Sequence, residues 1–359
     1  MGYGLYVHIP FCRSRCRYCD FYTQGAMAGV PAEYVNALLR DFARFAPAEK
    51  RPATVYFGGG TPSLLQPAQL QRLLKAFKPL PGAEVTLEAN PESFTAEKAA
   101  LFREAGVNRL SLGVQTARNE SLARLGRLHT AADARRAMQN AKAAGFNNIT
   151  GDIMLALPAY TNEEFDATLA LLAEGGATHI SAYLLKIEEG TAFAKNPPPG
   201  LPTPDEAADF YLYAVGRLAK AGYRQYEISN FAHPGYEGRH NLLYWNCEEY
   251  VGLGPGAHSC LSGRRFSFAA DTAAFMAAPP VPQPEGTCDA FDYIMLRLRL
   301  AAGLDEAEMR RRYGRGLSAR QSAALQKYAR AGLAEYRGGV WALTPQGLLL
   351  QNGILADLL

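Results

Sequence analysis

The run L-Y-V-H-I-P-F-C-R-S-R-C-R-Y-C-D-F spans residues 5–21 and sets Cys12, Cys16 and Cys19 in the spacing C-x3-C-x2-C. An apolar, strand-like stretch leads straight into the cysteines. Thiolates this close can converge on one soft metal centre. A [4Fe–4S] cluster normally takes one cysteine per iron, so three cysteines leave one iron open to an outside ligand. A structural zinc wants four protein ligands, and a catalytic zinc three plus water. No C-x2-C pair follows downstream, which makes zinc the weaker reading. Chance cysteines in a loop are a poor explanation at this density.

A cluster with one open iron is the starting material for radical chemistry with S-adenosylmethionine (SAM). C-x3-C-x2-C directly after a short apolar strand resembles the radical SAM superfamily. Further segments resemble its oxygen-independent coproporphyrinogen III oxidase branch: Y-V-H-I-P-F-C (6–12), F-G-G-G-T-P (57–62), L-E-A-N-P (87–91), L-S-L-G-V-Q (110–115), L-G-R-L-H (125–129) and Y-E-I-S-N-F-A (226–232). The resemblance covers essentially the whole chain. It implies a [4Fe–4S] cluster whose open iron is chelated by the amino and carboxylate groups of SAM. It also implies an electron donor, because an electron from the reduced cluster cleaves the sulfonium to a 5′-deoxyadenosyl radical.

The chain has 359 residues, enough for one large barrel-like domain and a small appendage. Hydrophobic residues make up 48% and charged residues 20%, an ordinary soluble balance. The net charge of +3, with Lys and Arg scattered among acids, argues against nucleic acid as a partner. No stretch approaches the roughly 18 apolar residues of a membrane span. The N-terminus shows no basic region followed by an apolar one, so no secretory signal is expected. The cysteines, three clustered and three scattered (Cys247, Cys260, Cys288), do not suggest a disulfide framework. A cytoplasmic location is expected, since a reducing compartment keeps thiols and cluster intact.

Short β-rich runs alternate with helical patterns through the first half. Strands are predicted at Leu5–Ile9, Thr54–Phe57, Glu84–Ala89, Arg109–Gly113, Ile149–Leu155 and His179–Leu184. Helices are predicted at Ala32–Phe45, Pro67–Phe77, Ala96–Ala105, Ala131–Ala143 and Asn162–Leu172, where apolar residues recur every three to four positions. Such βα units argue a parallel sheet with helices outside. Periodicity alone leaves a doubly wound sheet open, whereas the resemblance implies a partial (β/α)6 TIM-type barrel. Catalytic groups sit at the C-terminal strand ends in either case. The proline-rich run 196–204 reads as a rigid linker, followed by a helix over Asp205–Ala221 capped by Thr203 or Asp205. A second breaker at 278–286 marks the expected domain boundary. Helices near Cys288–Leu300, Asp305–Tyr313 and Ser318–Ala331, a hairpin at Gly338–Gly339 and a helix from Pro345 resemble a winged-helix module. With no basic stripe, that module reads as a lid or docking element. The division expected is a core barrel over 1–235, a connecting segment over 236–285 and a helical domain over 286–359.

Gly58, Gly59 and Gly60 let backbone approach a ligand closely. The family resemblance assigns this segment, with Thr61, to the SAM methionine. A carboxylate at Glu88 suits an ammonium or a ribose, and Asp152 suits ribose hydroxyls. Arg127 suits the methionine carboxylate through a charge-assisted, bidentate bond. Gln115 also ends a strand, and the resemblance places all four at SAM. Tyr6 and Tyr18 flank the cysteines, where packing on the cluster or on adenine and plain core packing both fit an aromatic.

The run R-H-N-L-L-Y-W at 239–245 carries a histidine, an amide and two aromatics. Histidine is a common heme-iron ligand, and aromatics can stack on a porphyrin. Read alone, His240 fits a hydrogen-bonded structural histidine better than a ligand. H-N-x-x-Y-W nevertheless resembles the heme-binding signature of the heme chaperones related to the oxidase, which makes His240 the expected iron ligand, with Tyr244 and Trp245 shaping its pocket. Two departures from the oxidase point the same way. Phe21 stands where the oxidase has a further cysteine, and only eleven residues precede Cys12, where the oxidase carries an N-terminal extension. The expectation is a heme chaperone delivering heme to an acceptor such as a membrane respiratory enzyme. The alternatives are a true oxidase or another radical SAM enzyme acting on tetrapyrroles. L-P-A-Y-T (157–161) replaces the more familiar L-P-G-Q-T of both relatives.

Overall fold

The computed structural model describes residues 2–358. Six parallel strands lie side by side in chain order: β1 (Tyr3–Ile9), β2 (Pro52–Gly59), β3 (Glu84–Ala89), β4 (Arg109–Gln115), β5 (Ile149–Leu155) and β6 (His179–Leu184). The crossovers carry α1 (Ala32–Phe45), α2 (Pro67–Phe77), α3 (Ala96–Ala105), α4 (Asn119–Leu125), α5 (Ala131–Ala143) and α6 (Asn162–Glu174). A doubly wound sheet would reverse its strand order partway. Here the order never reverses, so right-handed crossovers keep every helix on one face and the sheet curls into a partial barrel.

Threonine caps start several of these helices. Thr95, Thr130 and Thr161 each accept a backbone N–H of the first turn, satisfying a donor the helix itself cannot. After α7 (Ala192–Lys195), Thr203 caps α8 (Pro204–Lys220) in a capping box with Glu206. Ala159, where the related glycine is absent, holds φ +55. The turn therefore keeps its left-handed shape at a cost of roughly 1–2 kcal/mol to a non-glycine residue.

Both barrel edges are extended. Antiparallel β7 (Arg224–Glu227) and β8 (Asn230–Ala232) continue from β6. Then α9 (Arg239–Trp245) follows, and β9 (Tyr250–Leu253) pairs parallel with β1. Next come β10 (His258–Leu261), β11 (Arg264–Ser267), α10 (Thr272–Ala277) and β12 (Gln283–Thr287), which complete a twelve-stranded sheet. The breaker at 278–286 is thus in part a strand, a correction to the sequence expectation. Its proline is tolerated because β12 is the outermost strand, where a missing N–H faces no neighbour.

The C-terminal helices build a second apolar cluster. It is formed by α11 (Ala290–Arg297), β13 (Leu304–Asp305), α12 (Glu306–Tyr313), α13 (Ala319–Arg330), the hairpin β14 (Ala334–Arg337) and β15 (Val340–Leu343), α14 (Pro345–Leu349) and α15 (Gln351–Leu358). Ile294, Leu298, Met309, Leu325 and Ile354 are its buried centre. Among the described residues no helix is long and apolar enough to cross a membrane.

Candidate functional site

A cavity of about 340 Å³ opens at the C-terminal ends of the parallel strands. That is the size of a small-ligand site. Cys12, Cys16 and Cys19 all line it. The loop that carries them is pinned by backbone bonds: Cys12 N–H to Gln24 O at 2.8 Å, Met27 N–H to Cys12 O at 3.0 Å and Arg17 N–H to Leu125 O at 3.0 Å. Two sulfurs already accept hydrogen bonds, Cys12 from Thr61 Oγ1 and Cys16 from Arg127 Nη1, each at 3.4 Å. Burial pushes the Cys12 thiol up and takes Cys19 to about 11. Uncompensated burial disfavours thiolates, and a bound cationic centre would reverse the balance. Among the described residues no set of three or more His, Cys, Asp or Glu side chains is gathered as a metal site as it stands. The donor types and their shared cavity fit an iron–sulfur cluster.

The glycine run lies against this loop because parallel pairing sets His8 beside Gly58 and Ile9 beside Gly59. Gly60 N–H and Thr61 N–H then donate to Ile9 O and Phe11 O, both at 2.8 Å. A Cβ at Gly60 would stand 2.8 Å from those same carbonyl oxygens. Gly59 takes φ +109, and its N–H donates to Glu88 Oε2 at 3.0 Å.

Strand alternation turns Tyr56, Glu88, Ser111, Asp152 and Ser181 to the same cavity. Tyr56 O–H donates to Glu88 Oε1 at 2.7 Å, and Ser111 O–H to Asp152 Oδ2 at 2.9 Å. Burial lifts Glu88 to about 7 and Asp152 to about 6, against the hydrogen bonds that favour their charged forms. Arg127 is partly buried in the cavity wall. Its Nη2 donates to Asn90 Oδ1 at 2.7 Å and to Gly113 O at 2.8 Å, while Nη1 donates to Cys16. Tyr18 also accepts from it. Burial alone would lower this guanidinium, but Tyr18, Cys16 and Glu92 outweigh it and keep it charged. Most of the fork is committed inside the protein, so a bidentate grip on a ligand carboxylate, as the sequence suggested, shrinks to a single remaining donor. Gln115 lines the cavity with φ +67, a strained value for a side-chain-bearing residue.

The two raised carboxylates set a pH expectation. The folded chain holds protons that the unfolded chain has released between about pH 4 and 7, so stability falls as pH rises through that window. A cationic ligand reverses the preference, because it favours the ionised forms. SAM affinity should therefore rise about 25-fold from pH 5.5 to 7.5, following the ionised fraction of a group near 7. Calorimetric titration across that range tests it. A flat profile in wild type, or a slope that survives Glu88→Gln, would remove Glu88 from the site.

Tyr6 and Thr61 are not at the cavity wall. The Tyr6 hydroxyl bonds His8 Nδ1 at 3.0 Å and its ring stacks on Tyr56 with centroids 6.1 Å apart, so it supports the wall from behind. Thr61 is buried between Cys12 and Asn90. Sequence reasoning missed Tyr56, Asn90, Ser111, Ser181 and Asn241, all of which line the cavity. Asn90, two residues after Glu88 in L-E-A-N-P, Ser111, inside L-S-L-G-V-Q, and Asn241, inside H-N-L-L-Y-W, had a signal in the motifs; Tyr56 and Ser181 had none.

The H-N-L-L-Y-W helix, α9, is built into the barrel below this cavity. Glu84 accepts the backbone N–H of Arg239 at 3.1 Å and of His240 at 2.9 Å, a carboxylate at the positive end of the helix. His240 is buried, stacked on Tyr56 with centroids 5.2 Å apart. Its Nδ1 lies 2.7 Å from Thr54 Oγ1 and its Nε2 2.6 Å from the Tyr244 hydroxyl. Burial takes the imidazole down to about 3, so it is neutral. Both ring nitrogens are thus occupied, and in this conformation His240 offers iron no free lone pair. Trp245 lies under Arg299, 4.4 Å from its ring centroid, where the C-terminal helices meet α9. His240, Tyr244 and Trp245 are outside the cavity, whereas Asn241 reaches it.

The profile of the Radical SAM superfamily matches residues 6–172, and that of the HemN C-terminal domain matches residues 289–350. Heme chaperone HemW of Bacillus subtilis (strain 168) is 34% identical over 372 residues, covering 99% of this chain and 98% of that one. Heme chaperone HemW of Lactococcus lactis subsp. lactis (strain IL1403) is 40% identical over 283 residues, covering 77% and 74%. The solved structure of the Escherichia coli coproporphyrinogen III oxidase HemN, a radical SAM enzyme, superposes with a TM-score of 0.83 at 22% identity, over 99% of this chain and 90% of that one. At that identity it speaks for the shared fold alone. Strand order, cysteine loop, one full-length likeness and one over about three quarters of the chain converge: the chain belongs to the HemW family of the radical SAM superfamily.

Proposed function

We propose that this protein is a heme chaperone that binds heme, a [4Fe–4S] cluster and SAM and passes heme to an acceptor protein, with a membrane respiratory enzyme as the acceptor class. The observation that carries the reading is the position of α9. Its heme-like motif is wired to the SAM cavity through His240 stacked on Tyr56, Tyr56 bonded to Glu88, and Glu88 bonded to Gly59. Relatives named heme chaperones support it. So does Phe21, which stands exposed on the cavity rim where the oxidase pattern has a cysteine.

When bound, the cluster and SAM supply one-electron chemistry. The chain's own groups do the rest. Cys12, Cys16 and Cys19 provide thiolates, Gly59 and Gly60 backbone approach, Glu88 and Asp152 acceptors for the cationic and hydroxyl parts of SAM, and Arg127 and Gln115 the polar wall. Tyr18 and Thr61 brace the sulfurs and the guanidinium. His240 would hold the heme iron through Nε2 if Tyr244 gave up its bond there, with Thr54 orienting the ring through Nδ1.

The test is anaerobic reconstitution, followed by parallel assays for a Soret band and for conversion of coproporphyrinogen III. A Soret band without conversion is expected. Robust, SAM-dependent formation of protoporphyrinogen IX would replace the chaperone reading with the oxidase. Tyr244→Phe probes the ligand. A net hydrogen bond is worth about 0.5–1.5 kcal/mol. Removing this competitor should tighten heme by roughly 2- to 13-fold in a Soret titration. Unchanged heme spectra in His240→Ala would keep the chaperone and dismiss His240 as its ligand.

A further inference from the structure

The run L-G-R-L-H (125–129) puts a second side chain to use besides Arg127. Leu128 points out to solvent, while His129 is buried. Arg127 and His129 take two consecutive backbone carbonyls at the end of β4. Arg127 Nη2 donates to Gly113 O at 2.8 Å, and His129 Nε2 lies 3.1 Å from Val114 O. A carbonyl oxygen only accepts, so Nε2 carries a proton there. The other edge of the ring faces Glu92, in the helical turn Pro91–Ser93 that follows β3. His129 Nδ1 is 3.6 Å from Glu92 Oε2, and among the described residues neither atom has a hydrogen-bond partner. The ring thus stands between the end of β3 and the end of β4.

The carbonyl that His129 holds belongs to a tight turn. Thr116 N–H donates back to Val114 O at 2.9 Å, with Gln115 at φ +67 between them. A bond across two residues with a positive φ at the centre marks the rare form of the γ-turn, which is strained for a residue with a side chain. The pairing of β4 with β5 slips at the same place, between Gly113 and Gln115, and such a bulge re-aims a side chain. Gln115 lines the cavity. Its Nε2 is 3.0 Å from where a Cβ on Gly113 would stand, and Arg127 Nη2 is 2.9 Å from that same point. The turn therefore sets an amide beside the guanidinium at the ligand wall.

We propose that His129, braced by Glu92, is a positioning residue for SAM: its Nε2–H holds the Val114 carbonyl in the strained turn and so fixes the Gln115 amide at the cavity wall. A strained turn persists only where its surroundings over-determine it. Val114 O takes one donor from Thr116 inside the turn and one from His129 outside it. Without the outer donor the turn relaxes, and the amide leaves the wall. His129 touches no ligand itself, because it lies buried behind the residues that line the cavity. The inference rests on the reading that SAM occupies this cavity, and it is independent of heme.

SAM is titrated calorimetrically into the full-length, anaerobically reconstituted protein and its variants, with iron content and Tm measured on each. His129→Leu should weaken SAM by about 2- to 13-fold, the worth of one net hydrogen bond from Gln115, with iron content unchanged. His129→Gln, whose amide N–H replaces the Nε2 donor, should bind SAM like wild type. Gln115→Ala should weaken SAM as much as His129→Leu does, and the double variant no further, because the histidine acts through the amide. Gln115→Gly accepts the positive φ without strain, so it should raise Tm while binding SAM as poorly as Gln115→Ala. Additive losses in the double variant, unchanged affinity in His129→Leu or Gln115→Ala, loss of the cluster in His129→Leu, or an unraised Tm in Gln115→Gly would each overturn the proposal. Where His129→Leu folds poorly, His129→Gln is compared with His129→Asn, whose shorter amide cannot reach Val114 O. Equal SAM affinity in those two variants overturns the proposal, and weaker binding by His129→Asn supports it. No SAM binding by wild type would remove the underlying reading of the cavity as well.

Discussion

Alanine at Cys12, Cys16 or Cys19 is expected to abolish the cluster, with iron, sulfide and the broad visible absorbance all lost after reconstitution. The same change at Cys247, Cys260 or Cys288 should leave them intact. Three thiolates already leave one iron without a protein ligand, so losing another strands a second iron. The structure supports the division, because the first three sulfurs line one cavity and the other three do not. It also ranks milder changes. Thr61→Val removes a single donor to Cys12 and should weaken cluster retention without eliminating it. A normal cluster in Cys16→Ala, or its loss in Cys288→Ala, would contradict the assignment.

Arg127→Ala should weaken SAM by about 10- to 150-fold, since a hydrogen bond to a charged group is worth roughly 1.5–3 kcal/mol. Calorimetric titration of reconstituted protein measures it. A second effect follows from the geometry. Arg127 bridges Asn90 Oδ1, Gly113 O and Cys16, so its loss removes these donors from the Gly113 carbonyl and the Asn90 amide oxygen and loosens the hold on the cysteine loop. The visible spectrum of the cluster should therefore shift as well. Arg127→Lys keeps the charge but cannot reach these divergent acceptors with a planar fork. It should retain cluster better than SAM. Crowding guards the arrangement too: a Cβ at Gly113 would stand 2.9 Å from Arg127 Nη2. Unchanged SAM affinity in both Arg127→Ala and Asp152→Ala would place the ligand elsewhere.

Much of the barrel was legible because its signals are local. Glu84–Ala89, Ile149–Leu155 and His179–Leu184 form as strands over the predicted residues, and Ala32–Phe45, Pro67–Phe77, Ala96–Ala105 and Ala131–Ala143 as helices. Period, caps and breakers mark such elements within a few residues of chain. Thr203 as the cap of α8 was readable for the same reason. Cys12, Cys16, Cys19 and the glycine run were legible because one short loop and one strand end carry them.

The strand β12 hidden in a proline-rich run was not legible, since only its outermost place in the sheet excuses the proline. His240 shows the limit more sharply. Its motif spoke of a ligand, but Thr54 is 186 positions away in the chain and closes one of its nitrogens. Tyr6 looked like a cluster neighbour by adjacency, yet the pairing of β1 with β2 turns it onto Tyr56 behind the wall. The sequence by itself determined the alternation of strands and helices, the thiol spacing and the residue types at the strand ends, because each is written in neighbouring positions. Tertiary structure alone decided that the sheet curls rather than doubles back, that Arg127 spends most of its donors on the protein, and that α9 fills the barrel under the cavity. Those outcomes depend on register and packing between distant segments, which no local pattern encodes.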